Sequence, residues 1–198
     1  MVIFRDVRPD KETWMGKFIF GSIVGILVLF VCGYFYFSLG LAPVATSAAP
    51  MPFEKKFANM ALHARIKSEA PKQAPFTADE PNLTAGAKVY VQNCAFCHGL
   101  PGQADSPAAA KGMFPPPPQL FDKDDMVTDD PVGTTFWKVD NGIRLTGMPG
   151  FNKSLTKNQI WQVSMLLAGA DKLPPPTKAA LVPIAVVTPP ASSGPLKK

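Results

Sequence analysis

The sequence predicts an all-α protein, in which one membrane-spanning helix leads to a small helical domain with proline-rich extensions. Three observations carry this expectation. Apolar residues recur at three- and four-residue spacing in several segments, no segment alternates apolar and polar residues convincingly, and one stretch of 24 residues bears no charge. A length of 198 residues allows one modest domain plus extensions and leaves no room for two large ones.

The uncharged stretch covers residues 18–41 and is dominated by Phe, Ile, Val and Leu. As a helix it would be about 36 Å long, enough to cross a hydrocarbon core of about 30 Å with some tilt. Trp14 and Lys17 stand at one end and Tyr34 and Tyr36 near the other, as the two water interfaces of a bilayer favour. A secretory signal would have an apolar region of only about 7 to 15 residues. Ser47, Ala48 and Ala49 offer a small-residue cleavage site, but the length of the stretch favours a retained anchor. Arg5, Arg8, Lys11 and Lys17 precede it, while the first basic residues afterwards are Lys55 and Lys56. This bias favours residues 1–17 in the cytoplasm, with the chain after the span on the opposite side of the membrane. Cys32 follows Leu29, a spacing found in lipoproteins, but the bulky Phe30 and Val31 between them favour a buried, inert thiol.

Residues 42–79 read as a linker punctuated by Pro43, Pro50, Pro52, Pro71 and Pro75. Within it Phe53, Phe57, Met60, Ala61 and Ala64 repeat at helical spacing beside Lys55, Lys56, Arg65 and Lys67. That pattern suits either a basic amphipathic helix resting on anionic headgroups or a partner, or a solvated helical linker. His63 in this segment reads as a surface histidine.

The domain proper is expected at residues 80–173. Leu83, Ala87, Tyr90, Val91 and Cys94 mark a first amphipathic helix. Asp130 as N-cap and Pro131 at the first helical position open a second, with Phe136, Trp137 and Val139, which Gly142 ends. Thr156 and Gln159 form a capping-box pattern before Ile160, Trp161, Val163, Leu166 and Leu167, and Gly169 closes that helix. Residues 174–198 contain seven prolines and no periodicity, and read as a disordered or polyproline tail unless a partner orders them.

The net charge of +5 belongs to the extensions. Residues 77–173 hold ten acidic and eight basic side chains, whereas 51–76 and 174–198 each carry a net +3. A nucleic-acid-binding face requires clustered Lys and Arg on a folded surface, so nucleic acid is excluded as a partner.

Cys94, Ala95, Phe96, Cys97 and His98 spell C-x-x-C-H, the attachment signature of a c-type haem. Two thiols three positions apart can each form a thioether to one porphyrin vinyl group, and the adjacent imidazole is then held beneath the iron. A structural zinc site normally takes four Cys or His ligands, and only Cys32 and His63 remain elsewhere. A thioredoxin-like pair would sit among alternating strands and helices, which are missing here. For the opposite side of the iron, Met148 offers a soft thioether on a turn made by Gly147 and Pro149. Met113 precedes four prolines, Met126 follows acidic residues and Met165 lies at core spacing, so Met148 is the preferred ligand.

With these motifs, residues 80–173 resemble class I cytochrome c. The likeness rests on a helix running into C-x-x-C-H, a long loop, an Asn141-Gly142 segment before Gly147-Met148-Pro149, and a last helix with Trp161. It implies one haem c attached through Cys94 and Cys97, with His98 and Met148 as iron ligands. It implies that Gly86 and Tyr90 pack near Trp161 and Met165. It also implies that a carbonyl within Pro115 to Pro118 accepts a hydrogen bond from His98; Pro118 is carried as the candidate, the choice among the four staying open. Trp137, Asn141 and Arg144 are candidates for contacts to the haem propionates. The expected function is single-electron transfer, without catalysis or a small-molecule substrate, between a quinol-oxidising complex and a terminal acceptor. Alternatives are a fixed cytochrome c subunit of a larger respiratory or photosynthetic oxidoreductase and, with an open iron position, a gas sensor or peroxidase. The expected partners are redox proteins or complex subunits, with membrane lipid around residues 18–41.

Overall fold

The apolar stretch folds into helix α1, Lys11–Ser38, in a computed structural model that describes residues 11–103 and 105–182, without the side chains of 11–13. Trp14–Ser38 is long and apolar enough to cross a membrane, and its large side chains are exposed along the helix. The helix thus starts before the expected residue 18 and ends three residues before 41, where Gly40 takes a positive φ. Cys32 is exposed on its surface and not covered by protein. Arg5, Arg8 and the tail beyond residue 182 lie outside the described residues. Contacts divide the chain at Pro52 into two units, and helix α1 belongs to the first.

The second unit holds α2, Glu54–Glu69, so the segment is helical, as both readings of it expected. This helix is not simply solvated. Ile66 is buried, and the Glu69 carboxylate accepts from Trp137 Nε1 at 3.0 Å while pairing with Arg65 at 2.8 Å. Just beyond it, the Pro71 carbonyl lies so close to Gly133 that an added Cβ would sit 1.7 Å away, and Ala74 and Phe76 pack on the core. Residues 66–76 are therefore part of the domain's surface layer.

Helices α3 (Glu80–Asn93), α6 (Val132–Asn141) and α7 (Lys157–Ala168) form the core, with short α4 (Ala95–His98) and α5 (Ala108–Lys111) in the connecting loops. Among the described residues there is no strand. Asp79 caps α3 by accepting from the Asn82 amide at 3.0 Å, with proline in the first turn where no donor is lost. The Thr156–Gln159 capping box opens α7 with both reciprocal hydrogen bonds. Helix α6 starts at Val132 behind Pro131, one residue later than expected, and the Asp130 carboxylate reaches Lys138 at 3.5 Å in place of a cap.

Two helices meet closely only where side chains stay small, and α3 crosses α7 at Gly86. A Cβ there would lie 2.3 Å from the Gln162 carbonyl oxygen. The contact closes over Tyr90, Ile160, Val163 and Leu166, which are fully buried. Each large apolar side chain so buried contributes about 1.5–3 kcal/mol. Phe136 of α6 stacks on Trp161 of α7 at 4.1 Å, a pairing worth about 0.5–1.5 kcal/mol beyond its buried area.

The expected tail from residue 174 starts too early. Pro174 and the prolines after it open helix α8, Pro175–Ala180, which packs on α3. Thr177 is fully buried with its hydroxyl 3.0 Å from that of Thr84, and Leu173 and Leu181 join the core. Proline at a helix start loses no hydrogen bond, so the run that reads as unstructured serves as a helix N-terminus.

Candidate functional site

The last turn of α3 delivers Cys94, whose amide donates to Tyr90 O at 2.8 Å. The chain then turns at once through α4, with the His98 amide donating to Cys94 O at 2.9 Å. Gly99 ends the turn with φ +71, a backbone conformation that L side chains rarely adopt. The buried Tyr90 hydroxyl clamps this exit by donating to Gly99 O at 2.8 Å and lying 3.2 Å from His98 O. Burial, reinforced by nearby Cys94, holds the phenol pKa well above its ordinary range.

His98 Nδ1 lies 2.8 Å from Pro118 O. A carbonyl only accepts, so Nδ1 carries the proton and Nε2 is left with its lone pair. Burial also lowers the imidazole pKa, outweighing the bond to Pro118, and keeps the ring neutral as a metal ligand must be. The proline run is held in turn by Gln119, whose amide donates to Asp125 Oδ2 at 2.8 Å and whose side chain donates to Pro117 O at 3.2 Å.

Opposite this wall stands the loop after α6. Gly142 ends the helix with φ +70, and a Cβ there would strike the Gly150 amide at 2.5 Å and Met148 O at 2.9 Å. Only glycine lets the loop fold back so tightly. The Ile143 amide donates to Met148 O at 3.1 Å, and Thr146 Oγ1 accepts from the Met148 amide at 3.1 Å while donating to Ile143 O. Met148 is thus fixed through its own backbone on both sides.

Between the two walls lies a cavity of about 140 Å³. Its lining brings together Cys94, Cys97, His98, Pro118 and Met148, surrounded by Leu120, Val139, Ile143, Phe151 and Leu167. An apolar wall with few polar groups is the usual chemistry of a cofactor pocket. The residues present fit a haem: two thiols on one rim, a neutral imidazole with an oriented ring, a thioether across from it, and hydrocarbon for the macrocycle. Burial, with nearby Cys97, pushes the Cys94 thiol up to about 12. Among the described residues no group of three or more His, Cys, Asp or Glu side chains could hold a metal ion.

Four residues named from the sequence do not line the cavity. Tyr90 sits behind the cavity under the His98 turn. Trp137 turns its indole N–H to Glu69, Asn141 donates to Trp137 O at 3.0 Å, and Arg144 is exposed; none of the three lines the cavity. Residues that sequence reasoning passed over do line it, above all Met113, whose Sδ packs 2.8 Å from where a Cβ on Gly147 would stand. The Pro115 to Pro118 run that carries the His98 acceptor was the available signal for Met113, because it returns the chain to the site.

Residues 81–165 match the family model described as Cytochrome C oxidase, cbb3-type, subunit III. The comparisons with curated proteins and with solved structures find no match. The domain is of the monohaem class I cytochrome c type, an electron-transfer domain, and that type implies a covalently bound haem c.

Proposed function

We propose that the chain is a membrane-anchored monohaem cytochrome c carrying single electrons on the periplasmic face of a bacterial inner membrane, from a quinol-oxidising complex to a terminal acceptor. The observation that carries the reading is the convergence of Cys94, Cys97, His98 and Met148 on one apolar cavity. Bound there, haem c would supply a one-electron iron couple. Cys94 and Cys97 would fix the macrocycle covalently, His98 would hold the iron from one side in the orientation set by Pro118, and Met148 would hold it from the other. The apolar lining excludes water, and the short hydrogen-bonded loops around both ligands resist rearrangement when charge at the centre changes.

Met148→His tests the ligand assignment. A thioether favours the reduced state relative to a second imidazole, so the variant keeps its covalent haem while its midpoint potential falls by more than about 100 mV, within the roughly 0.8 V that axial ligands span. An unchanged potential removes Met148 from the iron, and Met113 becomes the next residue to replace.

A second reading makes the chain a fixed subunit of a larger membrane oxidoreductase, and the matched family model is the observation that favours it. Mild detergent extraction followed by size analysis separates the two. The carrier reading expects a haem-containing particle of 21.3 kDa plus detergent, and a stable larger particle with further redox centres supports the subunit reading.

A further inference from the structure

Helix α2 has two apolar faces, and the fold covers one. Ile66 and Phe57 are nine residues apart, about two and a half turns, so they lie on opposite sides. The Ile66 side is buried in the second unit. The other side presents Phe53, Phe57 and Met60, exposed at 68%, 59% and 59%. Phe53 caps the helix in the left-handed region with φ 64, unusual for a bulky residue, and its ring meets that of Phe57 edge-on at 6.4 Å. The stripe therefore extends past the helix end. Lys56 and Lys67, both exposed, run along one edge of it at helical spacing from Met60.

We propose that this face of α2 lies in the headgroup layer of the membrane that α1 crosses, and that anionic phospholipid is its partner. The proposal rests on α1 being a membrane anchor. Two observations select lipid over protein. Only residues 39–53 separate α1 from α2, a tether of at most about 54 Å, so the stripe stays within reach of the bilayer surface. Aromatic and thioether side chains edged by lysine are also the composition of an interfacial helix, whose apolar face sinks about 5–10 Å into the headgroup boundary. Because Glu69, Trp137, Pro71 and Gly133 join the C-terminal end of α2 to the haem domain, a docked α2 would hold that domain at one orientation to the membrane.

The test uses the full-length, haem-loaded protein in vesicles of phosphatidylcholine and phosphatidylglycerol. With Cys32→Ser and Met60→Cys, a nitroxide is placed at position 60, and its relaxation by oxygen is compared with that by a water-soluble nickel chelate. The expected oxygen-to-nickel ratio is severalfold above that of a label introduced by Lys123→Cys on the exposed domain surface. A ratio at position 60 equal to that at 123 overturns the proposal, and protection that appears only when another membrane protein is added overturns it in favour of a protein partner. Phe57→Cys provides a second reporter if the first variant loses its haem spectrum. A label on Cys32 in the otherwise unchanged chain reports the anchor: bilayer depth there with a water-like reading at 60 rejects the docked helix alone, whereas a water-like reading at Cys32 rejects the anchor beneath it.

Discussion

Replacing Cys94 and Cys97 together by alanine is expected to abolish covalent haem and leave no compact domain to recover. The reason is the size of the space the group would fill. The cavity of about 140 Å³ lies among core side chains, with Leu120, Val139 and Leu167 in its wall. Unfilled apolar volume costs about 24 cal/mol per Å³, so a cavity of about 140 Å³ left empty would cost about 3 kcal/mol. A domain of this size has a total stability of about 5–15 kcal/mol. Haem staining after denaturing electrophoresis should show no signal, and protease treatment of membranes should degrade the domain. A folded, protease-resistant domain recovered without haem would sink the idea, because the helices would then carry the core alone.

Gly86→Ala should destabilise the α3–α7 crossing strongly while leaving the cavity residues intact. Its Cβ would meet the Gln162 carbonyl oxygen at 2.3 Å and carbon at 2.6 Å, and backbone cannot swing aside as a side chain can. The α3–α7 crossing must open, at a cost at or above the usual 1–3 kcal/mol of overpacking, about 3 kcal/mol. For a domain of this size that lowers Tm by roughly 12–24 °C. Gly169→Ala is the control, since its nearest atom would be 3.7 Å away and its backbone is permissive, so its effect stays within about 0.5 kcal/mol. Equal melting temperatures for the two haem-loaded variants, followed by circular dichroism, would show that the crossing is looser than the geometry requires.

Much of the candidate site was legible because its signals are local. C-x-x-C-H works through residues three and four apart, the Thr156–Gln159 box through a single turn, and Gly142 through its own backbone angle. The partner of Trp137 was not legible, for the opposite reason. The family resemblance made it a candidate for a propionate contact, and its indole hydrogen-bonds Glu69, 68 residues earlier. No pattern within a few residues of Trp137 announces that partner.

The prolines divide in the same way. Proline fixes φ and removes a donor, which is compatible with a solvated tail, a turn or the first turn of a helix. Local sequence cannot separate these outcomes at residues 174–181. Burial does, by placing Thr177 and Leu181 in the core against α3.

By itself, then, the sequence determined the all-helical class, the apolar span, the C-x-x-C-H motif and the turn that carries Met148, since composition, periodicity and capping act over one or two helical turns. Only the tertiary structure decided that Pro118 is the His98 acceptor, that Met113 lines the cavity, that α8 closes the domain and that one face of α2 is covered while the other is bare. Those outcomes depend on which distant surfaces meet at van der Waals distance. That is a property of packing three helices around one cavity, and no short window of residues contains it.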